Sequence, residues 1–400
     1  MPSTDPAETA GQIIQTLRKA AGLTKAQLAD RAHVSRSLID KVELGDRPAS
    51  HALLAAVARA FGVPIERLSG QPYIDNPRDG QVHRDVDALR AVLRCYDLPD
   101  GIALRGLDEI AVDVAELSRV RDNADYGKLA ARLPSLLGEL IAFAHTDNSK
   151  RQAATLLISA YRAAHSLAHS LGYRDLAEGI EHKMAYTAQL TEDPLAGGLT
   201  QWARAQSFLN AGDYNHGLQL MTTAVADLND ELRRPTPETF AVYGSLHLRA
   251  ATLASCAGDV TNTEAHLAEA RELVARLGGA DQVSYGLSGL TFGMANTVTR
   301  EVASHVELDN PAAAVAAAAR WQPPRTMPRT RRGYHHISLA RARLMNDDQP
   351  GALTELQVAR KVAPQQTRLH PSVRETTAVL VSLHRRSNRD LVSYAGWLGL

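Results

Sequence analysis

The chain has 400 residues, 44% of them hydrophobic, 22% charged and only 5% aromatic, with Lys plus Arg equal to Asp plus Glu at 44 each. This composition excludes a disordered chain and a uniformly basic nucleic-acid coat, so any nucleic-acid contact has to be local. Abundant Ala and Leu beside few aromatics favours close-packed helices over a sheet-built core.

Five short helices are expected within residues 9–68. Gln12–Ala21 places Ile13, Ile14 and Leu17 on one face. Thr24–Ala32 opens on Thr24 with Gln27 three residues later, the pattern of a capping box. A tight joint at His33 and Val34 follows, after which Ser35 caps a helix running to Leu44, with Ile39 and Val42 inward. Leu53, Leu54, Val57 and Phe61 line a fourth helix, and Pro64 takes the first helical position of a fifth.

Residues 23–50, LTKAQLADRAHVSRSLIDKVELGDRPAS, resemble the lambda-repressor-like helix-turn-helix family, also called the xenobiotic-response-element type. The matching positions are Leu23, Thr24, Leu28, Ala29, Val34, Ser35, Ile39, Val42, Glu43, Gly45 and Pro48. The resemblance implies double-stranded DNA as partner, with the second motif helix in the major groove. It places Arg36, Ser37 and Lys41 at base edges, where an arginine fork suits guanine O6 and N7. It assigns Lys25, Ser35 and Arg47 to phosphates, which set register but not sequence. Two positions depart from the family pattern. His33 stands where glycine is usual, and Lys25 replaces a glutamine. Histidine tolerates positive φ better than most residues, so the turn can still form. Residues 1–70 carry 9 basic and 7 acidic side chains, a small excess for a DNA-binding module. A module kept only for protein contacts is the alternative. Family members usually bind as dimers to inverted half-sites about 34–36 Å apart. Residues 1–70 offer no obvious dimer face, which assigns pairing to the rest of the chain.

Residues 69–85, SGQPYIDNPRDGQVHRD, read as a linker. From about Val86 onward the pattern is helical, with no convincing strand. Asn210–Tyr214 (NAGDY) and Cys256–Val260 (CAGDV) each suit a joint between two helices: Gly ends one and Asp caps the next. Apolar residues follow Asp213 and Asp259 at matching offsets, as Tyr214, Met221 and Leu228, and as Val260, Leu267 and Val274. A third copy starts at Asp348. Helical hairpins that stack to bury their apolar faces explain the pattern, and a generic bundle with chance Gly-Asp turns is the alternative. The expected fold is therefore all-α: a five-helix helix-turn-helix domain (1–68), a linker (69–85) and an α-solenoid for sensing and dimerisation (86–400). This order resembles tetratricopeptide-type regulators that sense peptides or small molecules.

Arg320–Arg343 holds seven arginines, three prolines and no acid. A helix is expected from near Gly333, with Arg331, Arg332 and His335 around its first turn. They offer an effector site for an anion; the other reading is a solvated loop balanced by Asp347 and Asp348. SYGLSGLTFGMAN reads as a helix with a smooth face at Gly286, Gly289 and Gly293. Tyr285, Phe292 and Asn296 beside it would form a groove wall for a peptide, or serve only close helix packing. His165 and His169 have zinc-compatible spacing but lack a third ligand, so helix packing is the expectation. Tyr394, Trp397 and Leu400 are expected to dock on the last repeat, with a dimer contact second.

No catalytic motif, cofactor site or metal set is found, and no enzyme activity is expected. Cys95 and Cys256 are too few and too distant for a disulfide scaffold. The longest apolar run, Ala312–Ala319, is far short of the roughly 20 residues that span a membrane. The N-terminus lacks signal-peptide features, and a cytoplasmic location follows as the expectation. Three functions fit. The first is a dimeric DNA-binding regulator with a peptide or small-molecule effector. The second is a DNA-binding regulator whose repeats recruit a protein partner. The third is an interaction protein that does not bind DNA.

Overall fold

The computed structural model describes residues 9–71, 80–98, 105–146, 149–384 and 388–400. The N-terminal module is built from α1 (Ala10–Ala20), α2 (Lys25–Ala32), α3 (Arg36–Leu44), α4 (His51–Phe61) and α5 (Ile65–Ser69). Each of the first four starts on a hydroxyl cap: Thr9, Thr24, Ser35 and Ser50 accept from the backbone N–H three residues on. Thr24 and Gln27 form the expected capping box, and Thr9 and Gln12 form another. Pro64 stands one position earlier than expected, at the N-cap of α5. Ile14, Leu28, Ile39, Val42, Leu53 and Val57 make the module's core.

Two contacts set the pose of α3. A Cβ at Gly11 would collide with the carbonyl oxygen of Val42, so α1 lies directly on the α3 backbone. Arg18 then forks onto Glu43 from α1, with Nε–Oε1 at 2.7 Å and Nη2–Oε2 at 2.8 Å, both residues buried. His33 ends α2 in the left-handed region at φ 53°, the conformation that glycine usually supplies.

The rest of the chain forms helical hairpins. In order these helices are α6 (Gly80–Arg94), α7 (Leu107–Asp122), α8 (Tyr126–Ala144), α9 (Lys150–Leu171), α10 (Arg174–Thr191), α11 (Pro194–Ala211) and α12 (Tyr214–Asp227). They continue as α13 (Pro237–Cys256), α14 (Val260–Arg276), α15 (Met294–Glu307), α16 (Pro311–Ala319) and α17 (Arg329–Met345), followed by α18 (Gln349–Val362), α19 (Pro364–Leu369), α20 (Pro371–His384) and α21 (Arg389–Leu398). Ser69 ends α5 and Gly80 opens α6, so the expected linker 69–85 includes the start of α6; residues 72–79 lie outside the described ones. Val86, Leu89 and Leu93 of α6 already belong to the main core.

Seven of the joints share one geometry: a residue at positive φ, then the residue that begins the next helix. The pairs are Ala124 and Asp125, Gly172 and Tyr173, Glu192 and Asp193, Gly212 and Asp213, Gly258 and Asp259, Asp309 and Asn310, and Asp347 and Asp348. Asp309 and Asn310 form a joint of the same kind between Asp259 and Asp348. Tyr394 docks as expected, its hydroxyl donating to the Leu356 carbonyl at 3.0 Å.

Two expectations are corrected. SYGLSGLTFGMAN contains no continuous helix: β1 (Val283–Tyr285) pairs antiparallel with β2 (Leu290–Phe292), and α15 starts only at Met294. Gly286 and Gly289 bound the turn with φ of 47° and 64°, so they serve hairpin reversal and give no smooth helix face. The helix expected near Gly333 starts at Arg329, directly after Pro328.

The module rests on the repeats. Arg47 pairs with Asp309 at 2.5 Å, and Arg59 Nη1 donates to the Gly212 carbonyl at 2.9 Å. Glu375 accepts from the Ala10 N–H at 2.7 Å, Gln71 donates to the Leu369 carbonyl at 3.2 Å, and Glu66 pairs with Arg174.

Removing one partner of a buried ion pair leaves the other charge stranded. Glu43→Ala is expected to cost about 3–5 kcal/mol, read as lost hydrogen-exchange protection of α1–α3 amides in the full-length chain. His33→Gly relieves left-handed strain and is expected to add about 1 kcal/mol of protection to the same amides; unchanged protection in either variant would refute these local energetics.

Candidate nucleic-acid interface and effector chamber

The outward face of α3 carries three of the six residues expected at DNA. Arg36, Ser37 and Lys41 are exposed, and the Arg36 side chain is 71% accessible. Arg36 makes only a long contact to Asp40 one turn away, at 3.7 Å. The other three expected residues are engaged. Ser35 Oγ accepts from the Leu38 N–H at 3.2 Å. Lys25 Nζ lies 2.8 Å from Asp40 Oδ1, and that contact holds the Asp40 carboxyl below its ordinary pKa. Arg47 is held by Asp309 from the turn between α15 and α16.

Between the module and the repeats lies a chamber of about 280 Å³. His51 and Leu54 of α4 form one wall, and Asn210, Arg249, Cys256 and Arg300 contribute to the facing ones. Its polar groups are incompletely matched. Both ring nitrogens of His51 are shielded from water and unpartnered, and burial pushes its pKa down to about 4. Glu307 pairs with Arg341 at 2.7 Å, yet Glu307 Oε2 and Arg341 Nε have no partner. A second cleft, of about 500 Å³, runs beside Arg47, Arg59 and Glu307.

The residues expected at an effector site divide into two groups. Asn296 and Arg331 come together: with Trp202, Arg249 and Arg300 they line a cavity of about 10 Å³ next to the chamber. Tyr285 and Phe292 do not join them. The Tyr285 hydroxyl donates to Asp193 Oδ2 at 2.6 Å, and Phe292 is fully buried against Gly244. His335 packs edge-on to Trp321 with ring centroids 5.6 Å apart, and burial lowers its pKa to about 4. Arg332 is half-buried at the start of α17, with Nε unpartnered. His165 contacts Glu181 at 3.0 Å; burial lowers the histidine to about 3 and raises the carboxyl to about 7.

Sequence reasoning missed Arg18, His51, Arg162, Trp202, Arg249 and Arg300. A usable signal existed for two of them. Arg162 and Arg249 are single charges inside long apolar helices, in ISAYRAAHSL and GSLHLRAATL.

The helix-turn-helix domain family matches residues 10–69. The immunity repressor protein of Bacillus phage phi105 is 38% identical over 103 residues, 24% of this chain and 72% of the repressor. The competence pilus inhibition repressor of Acinetobacter baylyi is 38% identical over 58 residues, 14% of this chain and 53% of that protein. A crystal structure of Bacillus thuringiensis PlcR with the peptide PapR7 and DNA aligns with 68% of this chain and 96% of its own, at 15% identity and a TM-score of 0.27. With its five short helices and matched residues 10–69, the chain belongs to the helix-turn-helix family of transcriptional regulators.

Proposed function

We propose that the protein regulates transcription by binding an inverted DNA repeat as a homodimer. Residues 1–68 read the DNA, while residues 86–400 pair the copies and hold a peptide or small-molecule effector. The observation that carries this reading is the shared wall of the chamber: α4 belongs to the DNA-reading module, and its His51 and Leu54 face repeat helices across the cavity. An occupant that fills the chamber touches both parts. Repression is the sense supported by the names of both curated relatives. No helix among the described residues is long and apolar enough to cross a membrane, which agrees with a regulator that meets DNA in the cytoplasm.

Arg36, Ser37 and Lys41 approach base edges, and Lys25, Ser35 and Arg47 approach phosphates. Arg47 cannot hold Asp309 and a phosphate with the same N–H groups. Its docking contact thus competes with DNA, and an effector that favours one seating of α4 shifts operator affinity. Such coupling typically amounts to about 1–3 kcal/mol.

The direct test is recovery of genomic DNA by the purified full-length protein at physiological salt, scored for an inverted repeat. A sharp palindrome supports the reading, and the absence of enrichment from folded dimer defeats it. At the recovered site Arg36→Ala should cost about 1–3 kcal/mol and relax preference at one base, whereas Lys25→Ala should weaken all sequences alike. Asp309→Ala should raise the DNA affinity of the effector-free protein by freeing Arg47; an unchanged affinity would show that the docking contact does not compete.

A further inference from the structure

Four arginines come together beside the chamber: Arg249 on α13, Arg300 on α15 and Arg331 on α17 around the small cavity, and Arg162 on α9 over Trp202, which lines it. Arg249, Arg300 and Arg331 line the same 10 Å³ cavity, and Arg249 and Arg300 also line the main chamber. Arg162 and Arg249 are 8% and 5% exposed. None of the four has an ion-pair partner among the described residues, although nearby arginines do: Arg121 pairs with Asp122, and Arg341 with Glu307. The residues lining the small cavity include no Asp or Glu. Arg300 and Arg331 are half-buried, and Asp122 and Glu181 act on the cluster only from beyond ion-pair distance; guanidinium groups drawn out of water without a paired counterion are unfavourable, and like charges close together make it worse.

What holds them is aromatic faces and neutral acceptors, among them the Tyr334 hydroxyl, which accepts from Arg300 Nη1 at 3.4 Å. Arg162 Cζ lies 4.6 Å and Arg249 Cζ 4.3 Å from the centroid of the Trp202 ring, and Arg300 Cζ lies 4.9 Å from that of Tyr334. An aromatic face attracts the cation without accepting its hydrogen bonds in the way a carboxylate does. Arg249 donates once, to Gln206 at 2.5 Å, and Arg162 Nε has no partner. Burial, followed by the charges of neighbouring arginines, pushes Arg249 down to about 9. Burial and the charge of Arg300 push Arg331 to about 10.

We infer that Arg249, Arg300 and Arg331, backed by Arg162, form a binding site for an oxyanion, the carboxylate or phosphate group of the chamber's occupant. The inference deepens the effector reading above and rests on it. Planar guanidinium forks match either group in two-point geometry. The small cavity has room for about one water-sized group, so one oxygen enters it while the remainder of the ligand lies in the chamber. Neutralising the cluster draws α9, α13, α15 and α17 together beneath α4.

The test is thermal unfolding of the full-length protein in chloride, inorganic phosphate and succinate at matched ionic strength. Phosphate or succinate should raise Tm saturably by about 2–4 °C, and the stronger of the two identifies the group. Arg249→Met and Arg331→Met should abolish the rise. Arg331→Met should also raise Tm in chloride, since it deletes an unmatched charge; this readout shows that the variant folds. The surface variant Arg233→Met should keep the full anion response. No saturable rise in the unsubstituted protein, an equal rise in Arg331→Met, or a lower chloride Tm for Arg331→Met overturns the assignment. The outcomes separate cleanly from those of DNA recovery. A palindrome without an anion response removes only this inference, and an anion response without sequence selection removes only the regulatory reading.

Discussion

Arg18 and Glu43 face each other out of water through two hydrogen bonds, and the DNA-reading geometry depends on that fork. Either charge alone would be intolerable in its position, so the pair fixes the rotation of α3 against α1. Gly11 lets the same helices approach closely, because a Cβ there would strike the Val42 carbonyl. With rotation and distance set, the outward positions of α3 are determined, and Arg36, Ser37 and Lys41 project together. The same desolvation rule gives a different outcome in the repeats. There Arg162, Arg249, Arg300 and Arg331 are gathered without a carboxylate ion-pair partner among the described residues, and cavities lie beside them.

The seating of the module is polar where its own interior is apolar. Arg47, Arg59, Gln71, Glu66 and the Ala10 N–H make discrete contacts to the repeats, while the module's core closes on itself. The Arg47–Asp309 pair, with Asp309 exposed, belongs to the class of surface pairs worth about 0–1 kcal/mol, while the Glu66–Arg174 pair is largely shielded from water. An interface of such contacts is adjustable. It can be re-seated without unfolding either side, which a shared apolar core would not permit.

The N-terminal module was almost fully legible in sequence because its instructions are local. Capping hydroxyls, a capping box and apolar spacing each act within a few residues, and Thr24, Ser35, Ile39 and Val42 take their expected roles. The repeats were only partly legible. Their joints require a left-handed residue, and glycine announces it at 172, 212 and 258, whereas Ala124, Glu192, Asp309 and Asp347 hide it. The hairpin of β1 and β2 was misread because three glycines at helical spacing also suit a turn; Phe292 packing on Gly244 decides between them, and that contact spans 48 residues. The arginine cluster was legible only as isolated oddities. Arg331 stood out within a basic run, but its companions lie one per helix, and only the stacking of α9, α13, α15 and α17 joins them.

One consequence for regulation follows from how the parts are tied. His51 opens α4 at the chamber, while Leu53 and Val57 of the same helix lie in the core with Ile39 and Val42 of α3. A displacement at the chamber therefore moves α3 and α4 as one body, since the close-packed core and the Arg18–Glu43 fork resist internal shear. On the proposed reading, a chamber occupant leaves the base preference of a single module unchanged and alters where each module sits on its repeats, which in the proposed dimer is the separation and tilt of the two reading helices. Half-site spacing is set by the dimer's geometry, so a shift of a few ångströms separates a matched operator from a mismatched one while every base contact stays individually intact.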